Sequence, residues 1–180
     1  MSSISDLTPG VWNVDPSHST IGFVARHLMV SKVRGHFSTF NGTITIAEDP
    51  LQSKVEATVD IGSITTGDDT RDGHLKSADF FDNDKHPTMT LVSTGIEPDG
   101  SDYILHTDLT VNGITKQVDF ELEFVGVSGD PWGGTRAGFT AEADVNRKDW
   151  GLEWNVALET GGVLVGEKVK IVLEIEAIKA

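Results

Sequence analysis

Cysteine is absent from this 180-residue chain, and positive charge is scarce. Without a thiol there is no disulfide framework, no Cys-ligated zinc, no iron–sulfur cluster and no cysteine nucleophile. The 14 Lys and Arg face 28 Asp and Glu, a formal net charge of −14. Such a surface repels phosphate backbones and anionic headgroups over a Debye length, which argues against nucleic acid as a partner. Long apolar runs are missing too. The longest, such as residues 162–166, are a few residues each and far short of a transmembrane segment. Residues 1–10 show no basic start followed by an apolar stretch, so the expected location is the cytoplasm. Length and composition suit a 1–10 N-terminal tail followed by one domain over 11–180.

Catalytic signatures are equally thin. There is no Gly-x-Ser-x-Gly elbow and no Walker or Rossmann glycine pattern. The six histidines, His18, His27, His36, His74, His86 and His106, form no His-x-His or His-x-x-x-His pair, so no metal site is expected. With 28 acids, carboxylate pairs arise by chance, and no catalytic residue is assigned.

What the sequence does contain is alternation with period two. Val55, Ala57, Val59 and Ile61 alternate with Lys54, Glu56, Thr58 and Asp60. Val118, Phe120, Leu122 and Phe124 do the same, as do Val169, Ile171, Leu173, Ile175 and Ala177. Side chains on a strand point alternately to opposite faces, so each run has one wet and one buried side. Residues 21–27, 43–46, 88–92, 103–111 and 137–145 are further strand candidates. Turn chemistry joins them, and Asn112-Gly113 is the strongest hairpin signal. Gly161-Gly162 marks the break before the last strand. Residues 68–81 lack alternation and predict one or two short helices, with Ser77 as an N-cap. Eight or more half-buried antiparallel strands bury their apolar faces either as two packed sheets or as one closed sheet, and closure removes exposed edges. An eight-stranded barrel is filled by side chains or holds one small ligand. Small residues at inward positions (Ala25, Ala57, Ala137, Ala141, Ala143) favour a cavity, whereas Phe23, Phe37, Phe120, Phe124 and Phe139 favour a filled core. The pattern alone leaves both open.

Two polar clusters have a structural and a functional reading. Asp15-Pro16-Ser17-His18-Ser19 and Arg71-Asp72-Gly73-His74-Leu75 either cap turns and pair locally, or ring a cavity mouth and touch a polar headgroup. Arginine suits a diphosphate because its planar donors bind oxygens in pairs. Trp150 and Trp154 are core residues or line the pocket.

The ordered motifs resemble the YceI-like family, a lipocalin-like group associated with polyisoprenoid binding. They begin with the run from Trp12 to Ser19 (WNVDPSHS), Phe23-Val24-Ala25-Arg26-His27 and Gly35-His36-Phe37. Arg71-Asp72-Gly73-His74-Leu75 followed by Asp79-Phe80-Phe81-Asp82 is the most distinctive stretch. His86-Pro87-Thr88, the run from Leu109 to Thr115 (LTVNGIT) and Asn146-Arg147-Lys148-Asp149-Trp150-Gly151 complete the set. The resemblance implies an all-β fold: an eight-stranded antiparallel lipocalin-like barrel with a short helical insertion around 68–81. It also implies a long-chain isoprenoid guest, either a quinone or a polyprenyl diphosphate, and no other cofactor. Many members of the family are periplasmic. Phe23, His27, Phe37, Phe80, Phe81, Met89, Phe139, Trp150 and Trp154 are the expected ligand-binding residues. His18, Arg71, His74 and Arg147 are the expected headgroup contacts. The expected function is non-enzymatic carriage of an apolar lipid. Two alternatives remain: an enzyme using His27, His74 or Asp149 as acid–base groups, and a stress-response interaction module with a filled barrel. A homodimer is left open.

Overall fold

The computed structural model describes residues 3–28, 30–156, 158 and 165–180. The Gly161-Gly162 break lies outside them. In chain order the strands are β1 (Gly10–Val14), β2 (Thr20–His27), β3 (Ser31–Phe37), β4 (Phe40–Ile46), β5 (Lys54–Asp60) and β6 (Ile64–Thr65). Helix α1 (Asp69–Lys76) follows, then β7 (Thr88–Asp99), β8 (Asp102–Val111), β9 (Ile114–Gly129), β10 (Thr135–Asn146) and β11 (Val165–Lys179).

These segments make eight long strands, because three of them are bent. β1 continues into β2, β3 into β4 and β5 into β6. Short turns break them where Asp15 accepts from the Ser17 amide (3.0 Å) and Asp60 from the Gly62 amide (2.9 Å). The order β1-β4-β5-β7-β8-β9-β10-β11 is antiparallel throughout and closes on itself. β11 performs the closure, pairing with β2 through Glu174 and then with β1 from Ala177 to Lys179. The expected eight-stranded antiparallel barrel with one helical insertion is therefore present. The Asn112-Gly113 hairpin is present too, with φ of 54° and 73° at the two residues. Both angles are positive, as the tight turn that matches strand twist requires.

The helical insertion differs from expectation in its details. Asp68 is the N-cap, accepting from the Arg71 amide at 3.0 Å. Ser77 ends the helix instead of starting one: its amide and hydroxyl both donate to the His74 carbonyl, and residues 78–81 form turns. A serine hydroxyl serves either end of a helix, so its type alone did not fix the direction.

The barrel has two distinct ends. At the lower end, where β1 begins and β11 finishes, Leu7 is buried against Trp12, Ile44, Ile46, Ala137 and Ala177. The N-terminal tail thus folds under the barrel floor, aided by a capping box between Ser3 and Asp6. At the upper end, Phe80, Trp150 and Leu152 pack with Leu105, Leu109 and Phe120. Arg71 and Asp72 hold the insertion there. Asp72 is buried and accepts from the Thr66 amide (2.9 Å) and hydroxyl (2.6 Å), while Arg71 donates to the Thr66 hydroxyl and carbonyl.

Candidate functional site

The inward faces of the strands do not meet. They enclose a cavity of about 270 Å³ whose walls are almost wholly apolar. Its lining reaches from Ile4, Leu7 and Ile46 at the floor to Trp150, Leu152 and Val165 at the upper end. On β11 alone it includes Val165, Val169, Ile171, Leu173 and Ile175. At about 3.3 Å per residue, that span is roughly 30 Å along a tilted strand, so the space is long and narrow. Ala25, Ala57 and Ala141 line it, while Ala137 and Ala143 are buried in the wall. The phenylalanines share the interior without filling it. Phe37 stands edge-on to Phe81 at 6.0 Å, and Phe139 is tilted against Phe124 at 5.5 Å. Gly35 is what admits the Phe23 ring: a Cβ there would lie 2.4 Å from Phe23 Cζ.

Among the expected ligand-binding residues, Phe23, Phe37, Phe80, Phe81, Met89, Phe139 and Trp150 line the cavity. His27 and Trp154 do not. His27 pairs with Val165 at the upper rim, and Trp154 lies outside the lining, edge-on to His74 at 4.6 Å and tilted on Phe80 at 5.5 Å. The expected headgroup contacts are scattered. His74 bonds to Asp79 at 2.9 Å, and Arg71 is committed to Thr66. His18 sits on the outer wall at the β1–β2 bend, 3.0 Å from Asp15. None of Asp15, Ser17, His18 and Ser19 at that bend lines the cavity.

Arg147 alone of the four lines the cavity. It is 4% exposed and forms no ion pair among the described residues. Its guanidinium donates to three backbone carbonyls: Gly166 (2.9 Å), Val165 (3.3 Å) and Leu152. It also stands 5.8 Å from the centre of the Phe80 ring. Burial holds its pKa below the ordinary value, because loss of hydration disfavours the charged form. Asn146 positions it by capping the short turn from Arg147 to Trp150, accepting from the Lys148 amide at 3.0 Å. Gly151 ends that turn at φ 75°, and the Trp150 indole N–H donates to the Leu109 carbonyl at 3.0 Å. A guanidinium has five N–H donors and three are used here, so two are not taken up by the described residues.

The described residues contain one cluster with metal-ligand chemistry, Asp15, His18 and Glu176. Arg136 already donates to the same oxygens, at 2.8 Å from Asp15 Oδ2 and 3.3 Å from Glu176 Oε2. A hydrogen bond from the Ser17 hydroxyl, followed by the one from Arg136, holds the Asp15 carboxyl well below the usual range. A cation would have to displace the guanidinium, so the cluster reads as an ion-pair brace between β10, β11 and the β1–β2 bend. No helix among the described residues is long and apolar enough to cross a membrane.

Sequence signals for two contributors were weak. Ile4 and Leu7 line the cavity from a segment whose only cue is two apolar residues three apart. Ala57 and Ala141 were visible as small residues at inward positions. Comparison with known proteins agrees with this architecture. The description of the YceI-like domain matches residues 12–177. Protein YceI of Escherichia coli is 37% identical over 163 residues, covering 90% of this chain and 82% of that protein. The solved YCEI protein of Campylobacter jejuni superposes with a TM-score of 0.72 at 26% identity, over 86% of this chain and 90% of the other. A polyisoprenoid-binding domain from Saccharophagus degradans, implicated in plant cell wall breakdown, gives a TM-score of 0.70 at 15% identity, over 96% and 100% of the two chains.

Proposed function

The chain belongs to the YceI-like family, and on that footing we propose that it is a non-enzymatic binding protein that sequesters or carries a long-chain isoprenoid lipid inside the barrel. The observation that carries the reading is the long, apolar cavity with one buried cation near its upper end. Each methylene taken out of water contributes about 0.8 kcal/mol, so a long chain is held with few polar contacts. A polyisoprenoid is also what the Saccharophagus domain of the same fold is described as binding.

The two spare N–H groups of Arg147 supply the headgroup contact, either to a quinone carbonyl or to a diphosphate oxygen. Phe80, Phe81, Met89 and Trp150 surround the part of the guest nearest it. The acid–base alternative is disfavoured by placement. Among the described residues, the ionisable side chains lining the cavity are Arg147 and Glu56, and Glu56 is exposed. His74 and Asp149 lie outside the lining.

Native mass spectrometry of protein purified from its own host, with organic extraction of the same sample, tests the proposal. The expected result is a bound apolar species of isoprenoid mass. A chain that emerges empty and takes up neither added polyprenyl diphosphate nor quinone would overturn it.

A further inference from the structure

The chain's acidity is not uniform, and one basic face lies on the hairpin at the upper end of the barrel. On β2, Phe23 and Ala25 face the cavity, so Arg26 points out, and on β3 Lys32 and Arg34 share that outer face. Arg26 is directly opposite Lys32, and Arg34 is opposite Val24. Like charges directly opposite repel across a strand pair. None of these three cations has an ion pair among the described residues. Their neighbours behave differently: Lys148, Lys168 and Lys170 are each matched, to Glu167, Asp144 and Glu142. Other lysines, such as Lys54 and Lys116, also lack an ion pair among the described residues, so what sets the hairpin apart is that three cations share one outer face in a chain of net charge −14.

The tip of that hairpin is apolar. Leu28 is 40% exposed and Val30 is 81% exposed. Leu28 also has φ 54°, a region that favours glycine or asparagine, so a large apolar side chain stands where the backbone would prefer neither bulk nor branching. The tip adjoins Val165, which pairs with His27 and lines the cavity. Asn155 holds Val165 by two hydrogen bonds, and the next residue, Val156, adds another exposed apolar side chain to the same rim.

The geometry points to the β2–β3 hairpin as a docking element for an anionic bilayer surface. The vertical order supplies the reason: apolar side chains lead, and cations follow two to six residues behind along the same hairpin. A bilayer presents the complementary layers, headgroup charge outside and acyl chains beneath. The hairpin cations act within a Debye length, whereas exposed acids of the helical insertion at the same end, Asp68, Asp69 and Asp79, oppose the contact, so the attraction comes from the hairpin itself. Docking brings the upper end, not the plugged floor, to the membrane. Exchange of a guest there rests on the carrier reading, whereas the docking itself does not.

Vesicle flotation of the full chain tests this, comparing phosphatidylcholine with phosphatidylcholine–phosphatidylglycerol vesicles at low and high salt. Binding to the anionic vesicles alone, weakening with salt, is expected. Each cation near such a surface is worth about fivefold in partitioning, so the Arg26→Ser, Lys32→Ser, Arg34→Ser triple variant should bind on the order of 100-fold more weakly. Val30→Asp should also lose binding, and Lys54→Ser at the opposite end should not. Circular dichroism of each variant verifies the fold. The inference is overturned if the parent ignores anionic vesicles, or if the triple variant binds as the parent does. Hairpin substitutions that alter only sedimentation mass would equally overturn it, assigning the face to a second copy of the chain. Lipid extraction of the same samples separates the two readings, since a chain that docks but carries no guest defeats the carrier proposal alone.

Discussion

Replacing Arg147 by methionine keeps the stem's bulk and removes the guanidinium, which isolates what the buried cation does. Three carbonyls lose a donor. The Val165 oxygen retains Asn155 Nδ2 at 2.7 Å, whereas the carbonyls of Leu152 and Gly166 lose their bond to the side chain. An acceptor stranded out of water is destabilising by roughly 1–3 kcal/mol, so the two together give roughly 2–6 kcal/mol. Relief of a desolvated charge offsets part of this, leaving about 2–4 kcal/mol as the expected loss. For a chain of this length each kcal/mol corresponds to roughly 2–4 °C, so the midpoint should fall by about 10 °C. Thermal and urea unfolding followed by tryptophan fluorescence are the assays, because Trp150 and Trp154 sit on the segment that Arg147 secures. Lys168→Met is the control: its ammonium is 75% exposed and 3.5 Å from Asp144, and surface pairs of that kind are worth about 0–1 kcal/mol. An Arg147→Met protein with the parent's midpoint and denaturant slope would refute the assignment of Arg147 as the clamp on the upper end.

Further outcomes follow from other parts of the barrel. Ala57→Phe combined with Ala141→Phe should abolish uptake of a polyprenyl guest while retaining the strand spectrum, as both side chains point into the cavity; full uptake would move the guest elsewhere. His106 bonds chiefly to Asp119 (2.6 Å) and also to Glu97 (3.1 Å), which raises its pKa above the ordinary 6.5. Its contribution to stability is complete below pH 6.5 and is lost as pH climbs through the raised value, so His106→Gln should flatten that slope in pH-dependent melting. Equal slopes in parent and variant would refute the assignment. Asp15 is held below its ordinary 3.8, so its contribution is present above that pH and is lost as the pH falls through the depressed value. Asp15→Asn should lower the melting temperature at neutral pH and converge on the parent in strong acid; a constant offset at all pH values counts against it.

Much of the barrel was legible because a half-buried strand writes its two faces into alternate residues. Val169 to Ala177 and Val118 to Phe124 show it directly, and Asn112-Gly113 announced its turn through the backbone angles only such residues adopt easily. The bends were harder. Asp15-Pro16 interrupts a barrel strand, while Asp49-Pro50 sits in the loop before β5, and the local chemistry of the two is the same. Which one breaks a strand depends on pairing with β11 and β4, contacts far away in sequence. The cavity followed the same logic. Ala57 and Ala141 were visible as small inward residues, but whether phenylalanines fill the space depends on ring placement, such as Phe23 resting where Gly35 lacks a side chain. Arg147 was a candidate by motif, but its bonding to backbone carbonyls in place of a direct ion pair arises only when residues 152, 165 and 166 converge on it. Arg71, of the same type, is committed to Thr66 five residues away.

The plugged floor fixes one more property of the molecule. The first strand and the last lie side by side there, with Trp12 opposite Lys179 and the Ala180 amide bonded to the Val11 carbonyl at 2.9 Å. Any tag, tether or neighbouring polypeptide joined at either terminus therefore hangs beneath the base, and a protein immobilised by one of them would present its upper end to the solution.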